Sequence, residues 1–326
     1  MPRRARAPAP LPPNYQSSAR ISAEELSRSL RVQKSAYRVE RVTMAYRDGE
    51  LSHTNVVDWY LPRAPQSGRP VPAIAILPIL GGGKYALEEH FAALFSRHGY
   101  AAALAHRDKE LGRDIRSPED VDRLLQNMVL ETRSLIDWMK RQPGVDRSRL
   151  GLFGVSFGAI KAALVLPFSD DIRAAVLGLV GGDLGYIFTH TTERGLAKRC
   201  QRLLEKHQLT PEEGERTLNA LITYDPLKLA PSVDPGKVTM VLATRDTVVP
   251  YEKGLELWKA MGKPRLMKVW AGHYSALLFL PCIDSVVLDF LDEKFREPSI
   301  ERARLDERSD HRSAIRGGPG VSPALE

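Results

Sequence analysis

A short apolar run, Leu150 to Phe153, leads into Gly154-Val155-Ser156-Phe157-Gly158, and Ala159 to Leu164 then reads as helix. G-x-S-x-G between a strand and a helix predicts a tight turn that lifts a serine hydroxyl clear of the backbone. Gly154 and Gly158 carry no Cβ, so strand and helix can approach closely there. Five residues of this kind also arise by chance. The strand before them and the helix after them give the pattern its weight.

The rest of the chain repeats that alternation. Tyr37 to Tyr46 and Asn55 to Leu61 read as a hairpin turning at Asp48-Gly49. Short apolar runs at 71–77, 100–105, 172–179, 238–243 and 266–270 read as further strands, and 85–98, 251–261 and 274–290 as helices. The best-marked helix starts at Ser117-Pro118-Glu119-Asp120, with a cap, a first-turn proline and acids at its positive end. This order predicts an α/β fold with a mostly parallel sheet covered on both faces. Residues 184–236 break the rhythm with two further helical stretches, Thr192 to His207 and Pro211 to Thr223. Such an insertion either caps a site or decorates the fold. The expected boundaries are a Pro-rich disordered arm over 1–18, the main domain over 19–298 and a disordered charged tail over 299–326.

Of the formal charge of +7, nearly all lies in residues 1–41, which hold nine Arg or Lys against three Glu. The body is almost neutral and shows no basic groove or aromatic platform, so no nucleic-acid partner is expected. No run reaches the ~18 apolar residues of a membrane span. The basic N-terminus continues into prolines rather than an apolar stretch, which argues against a signal peptide. Two cysteines, Cys200 and Cys282, supply neither a disulfide framework nor metal spacing. Together these point to a cytoplasmic protein; its oligomeric state is left open.

A serine nucleophile needs a base, and the base an orienting acid. In the order Ser, acid, His, only His190, His207, His273 and His311 follow Ser156. His311 lies in the tail, and His190 and His207 in the insertion. His273 sits in Gly272-His273-Tyr274, between the last strand and the last helix. Asp246 follows the strand at 238–243 in Thr244-Arg245-Asp246-Thr247, with Asp183 as runner-up after an earlier strand. The amide of Phe157 would be one oxyanion donor. The loop Pro78-Ile79-Leu80-Gly81-Gly82-Gly83-Lys84 would supply the other, through Leu80 or, within one residue, Ile79 or Gly81. That loop is no Walker motif, since Pro78 and Tyr85 stand where Gly and Ser or Thr are required. The dinucleotide fingerprint fails at Ala86. No cofactor and no metal is expected. Lys84, Arg107, Lys109 and Arg245 read either as solvated charge or as groups for an acidic substrate.

With Gly-Val-Ser-Phe-Gly at 154–158, the Asp246 loop and Gly-His at 272–273 in this order, the chain resembles the α/β-hydrolase superfamily over roughly 37–291, especially serine esterases and dienelactone-hydrolase-like members. The resemblance implies an eight-stranded, mostly parallel sheet, a helical cap after the sixth strand, and a site at the strands' C-terminal edge. It implies Ser156 as nucleophile, His273 as general base then acid, and Asp246 as its orienter. The oxyanion loop departs from the His-Gly-Gly-Gly of many esterases. The implied reaction is hydrolysis of a small-molecule carboxylic ester or thioester. A peptidase or acyltransferase would share every motif, and a non-catalytic binding protein could use the same fold.

Overall fold

In a computed structural model of the chain, the described residues are 22–48, 51–63, 68–81, 84–107 and 115–296. The arm at 1–18, the tail at 299–326, Gly49 and Lys109 lie outside them. Nine strands form one sheet: β1 (Ser22–Gln33), β2 (Tyr37–Asp48), β3 (Leu51–Pro62), β4 (Val71–Leu77), β5 (Ala101–Ala105), β6 (Val145–Val155), β7 (Ile172–Gly178), β8 (Val238–Ala243) and β9 (Arg265–Val269). Their order is β1-β2-β3-β5-β4-β6-β7-β8-β9. The six strands from β5 to β9 run parallel, and β1, β2 and β3 add an antiparallel meander at one edge. The inner parallel strands carry apolar runs because both faces are covered: Ala73 to Leu77 and all of β8 are buried, whereas the edge strand β9 exposes Arg265 and Lys268.

The sheet has one strand more than the eight implied by resemblance. The extra one, β1, is polar and one-third charged, and it is held by charge as well as by its ladder. Arg28 Nη1 lies 2.9 Å from Glu40 on β2, and Arg31 Nη1 3.1 Å from the buried Asp58 on β3. Part of the N-terminal basic charge therefore belongs to the sheet rather than to an arm.

Helices α1 (Ala86–Arg97), α2 (Pro118–Lys140) and α3 (Phe157–Val165) follow β4, β5 and β6. Phe91 and Phe95 of α1 place their rings 4.2 and 5.4 Å from Phe153 on one face of the sheet. On the other face Trp138 of α2 meets Trp59 edge-on at 5.3 Å. Between β7 and β8 stand four helices: α4 (Leu184–His190), α5 (Arg194–His207), α6 (Pro211–Leu221) and α7 (Pro226–Leu229). Helices α8 (Tyr251–Ala260) and α9 (Leu280–Phe295) complete the fold, α9 being preceded by a 3-10 turn at Ser275–Phe279. Among the described residues no helix is long and apolar enough to cross a membrane.

Candidate active site

The turn after β6 is as sharp as its glycines predict. Ser156 has φ 55° and ψ −122°, a conformation that crowds a Cβ. Its N–H donates to the Gly178 carbonyl on β7 at 2.7 Å, and its own carbonyl accepts from Ala159 and Ile160 at 2.9 and 3.0 Å. A Cβ on Gly158 would overlap the carbonyl oxygen of Leu77, and one on Gly154 would overlap the backbone of Gly158. The two glycines therefore let α3 start directly against β4 and β6.

Asp246 and His273 come from the loops after β8 and β9, which are tied to each other. Thr244 and Arg245 donate their N–H groups to Val269 and Ala271 at 2.9 Å each. His273 Nδ1 lies 2.7 Å from Asp246 Oδ2, with both side chains largely buried. A carboxylate only accepts, so the proton sits on Nδ1, and in the neutral ring Nε2 is left as an acceptor. The other oxygen of Asp246 accepts from the amides of Val248 and Val249 at 2.9 and 3.0 Å. Ser275 Oγ accepts from Gly272 N–H at 2.9 Å and pins the turn that carries His273.

The runner-up acid is engaged elsewhere. Asp183 caps α4, accepts from Asn219 at 2.8 Å and meets Lys253 at 2.7 Å. Burial opposes its ionisation, but these bonds hold its carboxyl below the usual range.

Ser156 and His273 line one cavity of about 380 Å³ together with Phe157, Ile79, Leu80 and Gly81. Ile79 is removed from the candidate oxyanion donors, because its N–H donates to Glu88 Oε1 at 3.0 Å. Leu80 and Gly81 remain. Phe157 opens α3, where an amide has no acceptor within its own helix. Glu88 is a residue that sequence reasoning passed over. Its carboxylate, 3% exposed, also takes Arg107 Nη2 at 2.7 Å, while Arg107 Nε donates to the Ile79 carbonyl at 2.9 Å. Glu88 shares a helical stripe with Phe91, Ala92 and Phe95, and a carboxylate on an apolar stripe must have a partner inside.

Of the basic residues named for this edge, the described ones, Lys84, Arg107 and Arg245, do not line the cavity. Arg107 braces the loop and covers the Tyr85 ring at 4.2 Å, and Arg245 lies 3.8 Å over Trp270. Among the described residues no Lys or Arg lines the cavity. The insertion does border it, through Ile187, Thr191, Glu193 and Leu196. Thr191 Oγ1 donates to the Val248 carbonyl at 2.8 Å, and Thr192 N–H to the Thr247 carbonyl at 3.2 Å, which fastens the insertion to the Asp246 loop. Glu193 accepts from the Gly195 and Leu196 amides at 3.0 and 2.6 Å and so caps α5. At the mouth Tyr274 and Leu277 are exposed, beside exposed Trp270 and Leu278. Among the described residues no three His, Cys, Asp or Glu side chains gather as metal ligands.

No protein-family model matches the chain. An uncharacterized protein of Mycobacterium tuberculosis strain H37Rv is 29% identical over 147 residues, 44% of this chain, and one from strain CDC 1551 matches equally. The matched stretch spans about a third of those proteins, 32% of their length. Among solved structures, an acetyl xylan esterase from Paenibacillus sp. R4 superposes with a TM-score of 0.66 at 14% identity, covering 86% of this chain and 92% of its own. Acetyl xylan esterase 1 from Thermoanaerobacterium sp. JW/SL YS485 gives 0.62 at 15%, covering 85% and 88%. The α/β hydrolase GrgF from Penicillium sp. sh18 gives 0.52 at 16%, covering 83% and 99%. With its strand order, its turn at Ser156 and these neighbours, the chain has the α/β-hydrolase fold, of the kind found in esterases.

Proposed function

We propose that the protein is a serine hydrolase that cleaves a carboxylic ester or thioester through an acyl-Ser156 intermediate. The observation that carries this reading is the 2.7 Å bond from His273 Nδ1 to a buried, doubly amide-held Asp246, beside a cavity that His273 and Ser156 both line. Ser156 Oγ attacks the carbonyl carbon, and its proton passes to His273 Nε2. The developing oxyanion is met by the amides of Phe157 and Leu80. Collapse breaks the bond to the leaving oxygen or sulfur, which takes the proton from His273. Water, deprotonated by the same imidazole, then releases the acid and restores the serine. Asp246 fixes the tautomer and stabilises the imidazolium without taking up a proton itself. The scheme asks for no metal or organic cofactor. We place the protein in a reducing compartment, the cytoplasm, because both thiols are unpaired.

The reaction class follows the neighbours; their named substrate, acetyl xylan, does not transfer as readily. A sugar polymer wants polar walls, and this cavity is lined mainly by aliphatic and aromatic side chains.

A serine-directed fluorophosphonate probe should label the wild-type protein and leave Ser156→Ala unlabelled. Ester turnover in that variant should fall by at least about 10³-fold with the circular dichroism spectrum unchanged. Equal turnover in the two proteins at equal purity overturns the proposal, and a wild type that neither labels nor turns over esters points to a binding protein.

A further inference from the structure

The cavity at Ser156 is larger and drier than a small polar ester needs. Its 380 Å³ corresponds to about a dozen water-sized volumes at ~30 Å³ each, several times an acetyl group. Its floor is a slot between the sheet and two helices. Leu87 and Phe91 of α1, Phe153, Val176 and Val241 of the sheet, and Ile283 of α9 line it. Gly178 pairs in register with Val155 on one side and Val241 on the other, so the missing side chain in that row widens the slot.

The polar groups of the wall are already spent on the protein. The hydroxyl of Thr191 is bonded to Val248, and both carboxylate oxygens of Glu193 to the start of α5. Tyr274 stands at the exposed mouth. Ser156 and His273 belong to the reaction. An acyl group ending in a negative charge would meet a carboxylate at Glu193 and no cation among the described lining residues.

Which end of the ester enters the slot follows from the proton path. The leaving oxygen must lie beside His273 to be protonated. Of the cavity-lining residues next to His273 in the chain, Ala276 is buried, while Tyr274 and Leu277 are 67% and 47% exposed, so the cavity opens to water beside those two. The acyl side is the enclosed one.

From the apolar slot, its size and the open side at His273, we propose that the acyl group is neutral and apolar and far larger than acetyl, a chain or branched group of about six to ten carbons seated between the sheet, α1 and α9. This rests on the acyl-Ser156 reading given above and deepens it. Each methylene taken from water into such a slot is worth up to about fourfold in kcat/KM.

The test is a series of p-nitrophenyl esters from acetate to decanoate, in which the leaving group is constant. For the wild type, kcat/KM should rise at least about tenfold from acetate to octanoate. Hexanoate should exceed the half-ester of adipate by a similar margin. Ile283→Trp, which fills the floor, should lower the octanoate-to-acetate ratio at least about tenfold. Leu280→Phe is the milder filling variant should the tryptophan prevent folding, and it should lower the ratio in the same direction. Acetate turned over as well as octanoate, with all turnover still lost in Ser156→Ala, overturns this inference and leaves the serine-hydrolase reading standing. A ratio unmoved in folded Ile283→Trp or Leu280→Phe also overturns it. No turnover at any chain length, together with no labelling of Ser156, brings down the reading beneath and the inference with it.

Discussion

Ser156 holds φ 55° because the sheet and α3 leave the chain no other way to turn. Such a conformation costs a residue with a Cβ about 1–3 kcal/mol, and glycine almost nothing. Ser156→Ala keeps that strain, whereas Ser156→Gly relieves it and gives back part of the gain as unfolded-state entropy. Urea unfolding should therefore find Ser156→Gly more stable than Ser156→Ala by about 1 kcal/mol, with both inactive. At this scale much was legible in the sequence. The turn residues announce themselves, and the order Ser, acid, His singles out His273 and favours Asp246 over the runner-up Asp183; the structure joins His273 and Asp246 by a hydrogen bond. What spacing could not show is which amides are already taken. Ile79 is lost as an oxyanion donor to a carboxylate nine residues later, and the guanidinium bracing both comes from beyond the next strand. Arg107 read as a loop cation because a sequence shows charge without showing direction.

The elements were legible where burial imposes a pattern. Every parallel strand was visible as an apolar run, and α2 by its cap and its stripe. The strand β1 was not: Ser-Arg-Ser-Leu-Arg-Val has no dry face, and Leu26 and Leu30 stay 51% and 61% exposed. Its partners are a ladder and ion pairs, neither of which leaves a period in the sequence. The insertion was visible as an excess of chain, but its fastening was not, since hydroxyls such as those of Thr191 and Thr192 look alike whether they meet water or a carbonyl. That fastening predicts a linked effect. In Thr191→Val the shape survives, but the Val248 carbonyl and the Glu193 amide lose a partner, at a cost of about 1–3 kcal/mol in stability. Because Val248 follows the Asp246 loop, kcat should fall more than KM rises. Thr191→Ser should restore both. A variant with a changed KM alone would show that the insertion shapes the cavity without steadying the acid.

Across the whole molecule, the meander is locked by one buried carboxylate. Asp58 on β3 receives Arg41 from β2 at 2.8 Å, Arg31 from β1 at 3.1 Å and His106 after β5 at 2.9 Å. Burial works against its ionisation, but the bonds and charges of His106 and Arg41 prevail and hold the carboxyl well below the usual range. A depressed carboxylate stabilises the fold above its unfolded pKa of about 3.9, and that contribution is lost as pH falls through the lower folded value. Stability in urea should thus hold from pH 7 to 5 as far as this group is concerned, then fall below about pH 4. Asp58→Asn should be less stable at neutral pH and show a shallower fall in acid; an unchanged acid slope would remove Asp58 from the account. The strand order has a further consequence, for the chain as it leaves the ribosome. Strands β1 and β2 each pair with their immediate successor, so the β1-β2-β3 meander can close from local contacts while synthesis continues. The remaining six must wait for one another, and His273 is translated after all nine. Under the proposed mechanism a nascent chain that ends before His273 would carry the nucleophile and the acid but no base, so its activity would begin only when nearly all of the scaffold already exists.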